Sequence, residues 1–189
     1  MSILFKLRTY IKRKALKDIK LIVLDLDGVL TDGSLYYSSE GLSFKAFNSK
    51  DGLGIRMLQG LDIKIAVISG GKHNGALSRC NDLEIDYMFF QVTNKERQIC
   101  ELQSNLKISP LQTAYIGDDL NDIVVKPFVN LFLCPADAHH QVKKEADIVL
   151  IHKGGRGCVR DLADLIIKLR MKSLGDIRVM DRIKNTLVA

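Results

Sequence analysis

The chain has 189 residues, 47% of them hydrophobic, enough for one domain that buries its own core. Its four cysteines, Cys80, Cys100, Cys134 and Cys158, are scattered without a CxxC pair, which excludes a zinc ribbon, a redox dithiol and a secreted disulfide framework and implies a reducing, cytoplasmic setting. The net charge of +6 belongs wholly to residues 1–20, where Lys6, Arg8, Lys12, Arg13, Lys14, Lys17 and Lys20 stand against the single acid Asp18. The rest of the chain is balanced, so no nucleic-acid surface is expected on the body.

Residues 1–20 therefore read as a basic N-terminal extension. Ile3, Leu7, Ile11 and Ala15 recur at four-residue spacing, with Leu4 and Leu16 nearby, and predict an amphipathic helix. Its apolar face is expected to pack on the domain or on a neighbouring subunit, with contact to an anionic membrane surface or to nucleic acid as the lesser alternatives. No uninterrupted apolar h-region follows the charges, and no run reaches the roughly 18 apolar residues of a membrane span.

From Leu21 onward, short apolar and β-branched runs alternate with longer helical patterns. The strand candidates are Leu21 to Leu24, Ile63 to Ile68, Tyr87 to Phe90, Thr113 to Ile116, Asn130 to Cys134 and Ile148 to Ile151. The helix candidates are Leu53 to Gln59, Gly75 to Asp82, Lys95 to Leu106 and Val159 to Met171. This alternation predicts an α/β fold, a doubly wound parallel sheet of Rossmann-like type. Between the first two strands, Ser34 to Tyr37 and Leu42 to Phe47 flank a polar, glycine-containing turn and predict a small β-hairpin insert. No insert is long enough for a large cap domain. The domain is expected over 21–172, followed by a C-terminal tail, 173–189.

In open α/β sheets, ligands collect beyond the carboxyl ends of the strands. Asp25 and Asp27 follow the first strand, Ser69-Gly70-Gly71 the second and Gly117-Asp118-Asp119 the fourth, while Lys95 opens a helix after the third. Asp25 and Asp27 lean to one side if the strand geometry continues, and their repulsion calls for a hard cation such as Mg²⁺. Three acids in five residues, Asp118, Asp119 and Asp122, call for the same.

Taken together, Asp25 to Gly33 (DLDGVLTDG), Val67 to Gly71 (VISGG), Lys95 and Gly117 to Asp122 (GDDLND) resemble the four motifs of the haloacid dehalogenase superfamily, in that order and over nearly the whole chain. The resemblance implies a Mg²⁺-dependent phosphomonoester hydrolase. Asp25 would be the nucleophile that forms an aspartyl-phosphate, and Asp27 the general acid and then base. Ser69 and Gly70 would hold phosphate oxygens, Lys95 would neutralise the phosphoryl group, and Asp118, assisted by Asp119 and Asp122, would complete a metal site with Asp25 and the backbone carbonyl of Asp27. An acid at position 27 favours phosphoryl transfer over dehalogenation.

The hairpin, the segment Phe47 to Ile55, Ala136 to His139 and Gly154 to Arg160 are similar to the capless octulosonate 8-phosphate phosphatases of that superfamily. That similarity implies a phosphorylated acidic sugar as substrate, an eight-carbon ulosonic acid first and a nonulosonate 9-phosphate or other small phosphate as the alternative. It also implies a homotetramer assembled through the hairpins. A non-catalytic assembly module is the competing class, opposed by the intact acid set. Gly71 departs from the arginine common there, and Lys72 is the candidate replacement. Arg156 is a candidate for the sugar carboxylate. Asp51 is expected either to line the site or to cap a helix beginning near Gly52.

Overall fold

The computed structural model describes residues 3–39, 41–72 and 75–174, together with Asp181, Ile183 and Thr186. Helices α1 (Ile3–Ile11) and α2 (Arg13–Asp18) lead into β1 (Leu21–Leu24). The hairpin β2 (Tyr36–Ser38) and β3 (Gly41–Phe44) follows, then α3 (Ser49–Gln59), β4 (Lys64–Ile68), α4 (Ala76–Asp82), β5 (Tyr87–Phe89) and α5 (Lys95–Leu106). Strand β6 (Thr113–Ile116), 3₁₀ turns over Leu120–Phe128, β7 (Leu131–Cys134), α6 (His140–Glu145), β8 (Ile148–Val149) and α7 (Cys158–Leu174) complete the order.

Six of the strands form one parallel sheet in the order β5-β4-β1-β6-β7-β8, as the alternation of runs predicts. Period-two geometry explains why these runs are apolar throughout. Ile22, Leu24, Ala114, Ile116, Leu131 and Leu133 enter a core shared with α3 and α7. Leu21, Val23, Tyr115, Phe132 and Cys134 enter a second core on the other face, with Ile99 and Leu102 of α5. The chain winds outward from β1 to β4 and β5, then returns to β6 on the other side of β1. This places the switch point, and the crevice it opens, at the carboxyl ends of β1 and β6.

The β2–β3 ribbon stands apart from this sheet. Tyr36 and Phe44 stack across it with ring centroids 4.4 Å apart, yet both remain exposed, as do Leu35 and Tyr37. Among the described residues this ribbon is the only insert, and no large cap is present.

The leader is helical as expected, but the face that packs is not the predicted one. Phe5 and Leu16 are buried against the domain and Ala15 is partly so, whereas Ile3, Leu4, Leu7 and Ile11 point outward. Polar anchors set this rotation: Arg8 donates to the carbonyl of Ala146 at 2.9 Å and Lys12 pairs with Asp147 at 2.7 Å. At the other end, α7 continues to Leu174, and most of the predicted tail, 173–189, lies outside the described residues. Ile183 is buried in the core, and the carbonyl of Thr186 accepts from Arg56.

Candidate active site

Asp25 leaves β1 with its N–H donating to the carbonyl of Ile116, and its side chain is nearly enclosed. Lys95, the first residue of α5, reaches it from beneath. Its ammonium donates to Asp25 Oδ1 at 2.8 Å and to Asp122 Oδ1 at 2.7 Å. Asp122 is fully buried and takes two further kinds of donor: the Tyr115 hydroxyl at 2.6 Å on Oδ1, and the N–H groups of Asp118 and Asp119 on Oδ2. Both of its oxygens are thus engaged. Asp122 is the post that holds Lys95 and the Asp118 loop, rather than a carboxylate with free lone pairs. Asp119 is similarly committed, because its Oδ1 accepts from Leu120 N in a capping box that starts the 3₁₀ turns.

Asp118 differs from both neighbours: no hydrogen-bond donor among the described residues reaches its carboxylate. It lies over Gly28, whose φ of +85° is left-handed and where a Cβ would fall 2.0 Å from Asp118 Oδ2. Only glycine permits both the backbone conformation and the approach.

Ligand atoms of Asp25, Asp118 and Asp122 lie within 4.8 Å of one another. Burial, then the charge of Asp122, lifts the Asp25 carboxyl to about 7 against the opposing pull of Lys95. Burial, then Asp25, Asp122 and Asp119, lifts Asp118 to about 8. Lys95 would lose its proton more easily through burial alone, but the two carboxylates outweigh that and hold it as a cation. Three carboxylates with one ammonium leave two negative charges uncompensated, and the donors are hard oxygens. This set fits a divalent cation such as Mg²⁺, with Asp25 and Asp118 offering the available oxygens.

Asp27 faces a second lysine that the sequence reading did not single out. Lys45, just past β3, places its ammonium 2.7 Å from both Asp27 oxygens, and the lysine side chain is only 1% exposed. The available signal was the alternation Phe44-Lys45-Ala46-Phe47, in which Lys45 shares the inward side with Phe47 while Phe44 points out. Tyr115, buried in β6, was also missed as a partner of Asp122.

Ser69 directly follows β4, buried, and its hydroxyl accepts from the N–H of Gly71. Asp25, Asp27, Ser69, Gly70, Gly71, Asp118 and Asp119 line one crevice of about 360 Å³. Lys72 does not join them. It is exposed and outside that lining, and a Cβ at Gly71 would instead lie 3.4 Å from Asp27 Oδ2 and 3.9 Å from the Lys45 ammonium. The cation beside the glycine is Lys45.

Two further expectations change. Asp51 neither lines the crevice nor caps α3, whose N-cap is Asn48. It is 1% exposed and accepts from Gly157 N, Val159 N and Arg160 N, so it caps α7 from across the core. Arg156 pairs with Asp32 at 2.9 Å and is largely exposed at the edge of the loop that follows Asp27. Its glycine neighbours brace that loop: Gly155 N donates to the carbonyl of Val29 at 2.8 Å, and a Cβ on Gly154 would fall 1.8 Å from the Gly28 oxygen.

A parallel sheet with an aspartate pair after its central strand, a serine, a lysine and a buried acid set after the flanking ones defines a phosphoric monoester hydrolase of the haloacid dehalogenase type. No family model matches the chain. It is 41% identical over 151 residues to the 3-deoxy-D-manno-octulosonate 8-phosphate phosphatase KdsC of Escherichia coli K12, covering 80% of each chain. The crystal structure of the phosphatase of that name from Yersinia pestis superposes with a TM-score of 0.82 at 39% identity, over 86% of this chain and 88% of the other. The Moraxella catarrhalis phosphatase, solved with magnesium, phosphate and KDO, gives a TM-score of 0.78 at 33% identity over 83% and 90%. The chain belongs to the 3-deoxy-D-manno-octulosonate 8-phosphate phosphatase family.

Proposed function

We propose that this chain hydrolyses 3-deoxy-D-manno-octulosonate 8-phosphate to the free sugar acid and inorganic phosphate, in the cytoplasm and as a homotetramer. The observation that carries the reading is the pairing of Asp25 with Lys95, with Asp27 opposite across one crevice. An Asp25 carboxylate oxygen attacks phosphorus and the sugar alkoxide leaves, taking a proton from Asp27. Asp27 then removes a proton from a water whose oxygen attacks the aspartyl-phosphate, releasing phosphate and restoring Asp25. Lys95 keeps the nucleophile oriented, and Lys45 holds Asp27 in position. Ser69 Oγ and the backbone of Gly70 supply hydrogen-bond partners for phosphoryl oxygens. Asp25 and Asp118 would hold a Mg²⁺ ion, which would supply positive charge to the phosphoryl oxygens.

The cation beside Gly71 is Lys45, which is bound to Asp27, so the acidic-sugar reading is supported by the family to which the chain belongs. The missing side chain at Gly71 also favours a second reading, a bulkier nonulosonate 9-phosphate. The oligomer is supported by the exposed Leu35, Tyr36, Tyr37 and Phe44 of a two-stranded ribbon that is marginal alone. The experiment is phosphate release with Mg²⁺ across the octulosonate 8-phosphate, a nonulosonate 9-phosphate and a neutral hexose phosphate. The first is expected to give the highest kcat/KM, with all release lost in Asp25→Asn. Equal use of the neutral sugar would refute the acidic-sugar assignment.

A further inference from the structure

Helix α1 is apolar on two opposite sides. Phe5 faces the core, and Leu16 of α2 continues that side through the bonds Lys12 N to Arg8 O and Leu16 N to Lys12 O, both 3.0 Å. On the far side Ile3, Leu4, Leu7, Tyr10 and Ile11 are 86%, 58%, 54%, 62% and 65% exposed. Their spacing of i, i+1, i+4, i+7 and i+8 gathers them into one stripe about 120° wide. Scattered exposed apolar residues need no explanation, but a continuous stripe marks a contact surface. The helix cannot rotate to bury it, since Arg8 and Lys12 are tied to Ala146 and Asp147 on the body.

Charge selects the partner. Lys6 and Arg13 run along one edge of the stripe, Arg13 stacking on the Tyr10 ring at 4.4 Å, and Lys14 stands exposed beyond its end. The leader holds the whole net charge of the protein. A second copy would cover the apolar stripe but bring no excess of acid to Lys6, Arg13 and Lys14, since the body outside the leader has no net charge. Nucleic acid would match the charge but leave five apolar side chains in water. The C-terminal segment is placed elsewhere where it is described, with Thr186 beside Arg56 of α3. We propose that α1 lays this stripe on an anionic bilayer surface, its apolar side chains at the acyl boundary and Lys6, Arg13 and Lys14 among the headgroups, as a peripheral and salt-sensitive attachment. No residue of the leader lines the crevice, so attachment and hydrolysis are separable.

The test is co-sedimentation of the full chain with phosphatidylglycerol–phosphatidylcholine vesicles and with phosphatidylcholine vesicles alone. Binding is expected on the anionic vesicles at low ionic strength, with release at high salt as the Debye length shrinks. The double variant Leu7→Glu/Ile11→Glu should bind roughly tenfold or more weakly while keeping its far-UV spectrum and hydrolytic rate. No binding to anionic vesicles at low salt, or equal binding to the neutral ones, would overturn the proposal. So would a change of oligomeric state in the double variant by light scattering, because the stripe would then be an interface between copies.

Discussion

Asp118 gives the sharpest test of the metal site, because its carboxylate carries a charge the protein itself does not compensate. In the metal-free protein its carboxyl is raised from 3.8 to about 8 by burial and by Asp25, Asp122 and Asp119. A carboxyl raised on folding costs nothing below its unfolded pKa, and its penalty grows as pH climbs from about 4 through about 8. At ~1.36 kcal/mol per unit, a fully shielded group would lose ~6 kcal/mol. Solvent reaches part of Asp118, so about half of that, ~3 kcal/mol, is expected. Asp118→Asn keeps the shape and removes the charge. In chelator at about pH 8.5 the variant should therefore melt roughly 6–12 °C above the wild type, taking 2–4 °C per kcal/mol for a domain of this size. At about pH 5 the difference should shrink to roughly a third of that, since the folded Asp118 carboxyl is then protonated and pH 5 lies only about one unit above its unfolded pKa. Mg²⁺ should reverse the order at high pH by stabilising the wild type through binding. Calorimetry at the two pH values, with chelator and with Mg²⁺, decides the matter. A variant no more stable than the wild type at high pH without metal, or one with the same advantage at both pH values, would refute the reasoning.

The other residues separate in simpler assays. Lys45→Met should lower kcat by about tenfold or more with a smaller change in KM, and Lys45→Arg should recover much of it; an unchanged kcat in the methionine variant would remove Lys45 from the reaction. Asp51→Ala should cost about 2–4 kcal/mol in denaturant unfolding through loss of the α7 cap and exposure of its N–H groups, while KM of the folded fraction stays unchanged; a raised KM would return Asp51 to the substrate site. Gly154→Ala should destabilise by about 3 kcal/mol or more, because a methyl group there meets the Gly28 carbonyl, and should weaken metal binding with it; wild-type stability would show that the brace is dispensable.

The sheet was legible because its central strands β1, β6 and β7 are buried on both sides and so are written as unbroken apolar runs; β1 and β6 begin and end where those runs do. The start of α3 was not. Ser49 to Gly52 lie ahead of the predicted helix Leu53 to Gln59, but Asn48 caps them into α3, and Gly54 lets the helix lie against the backbone of Arg160. Asp25, Asp27, Ser69 and Asp118 stood out in the sequence because a polar residue after a buried strand is conspicuous, and the fold gathers them at one crevice with Lys95 beside Asp25. Lys45 and Tyr115 were hidden for the opposite reason: one sits in a short ribbon, the other inside a strand, and only the tertiary fold turns them toward an acid. The leader showed the complementary difficulty. It carries two apolar faces, and periodicity reports that such faces exist without saying which of them the body covers.

Asp25 and Asp27 stand two residues apart, yet the fold gives them different cations and different access to water, and this division suits the two tasks proposed for them, nucleophile and proton carrier. The Asp25 side chain is 9% exposed, and its lysine is anchored by Asp122, which is itself held by the Tyr115 hydroxyl and two backbone N–H groups. A nucleophile gains from such fixity, since misplacement of the attacking oxygen raises the barrier directly. The Asp27 side chain is 32% exposed, and its lysine comes from the base of the ribbon, outside the main sheet. A group that must give a proton to an alkoxide and then take one from water needs that opening. Strand geometry alone would set both carboxylates on one side of the sheet. Both acids do sit on extended backbone ahead of the left-handed turn at Gly28 and both line one crevice, but their cations differ, Lys95 tying one acid to the core and Lys45 tying the other to the insert. The two lysines are therefore not interchangeable: loss of Lys95 strands two buried carboxylates, whereas loss of Lys45 frees a carboxylate that water can still reach.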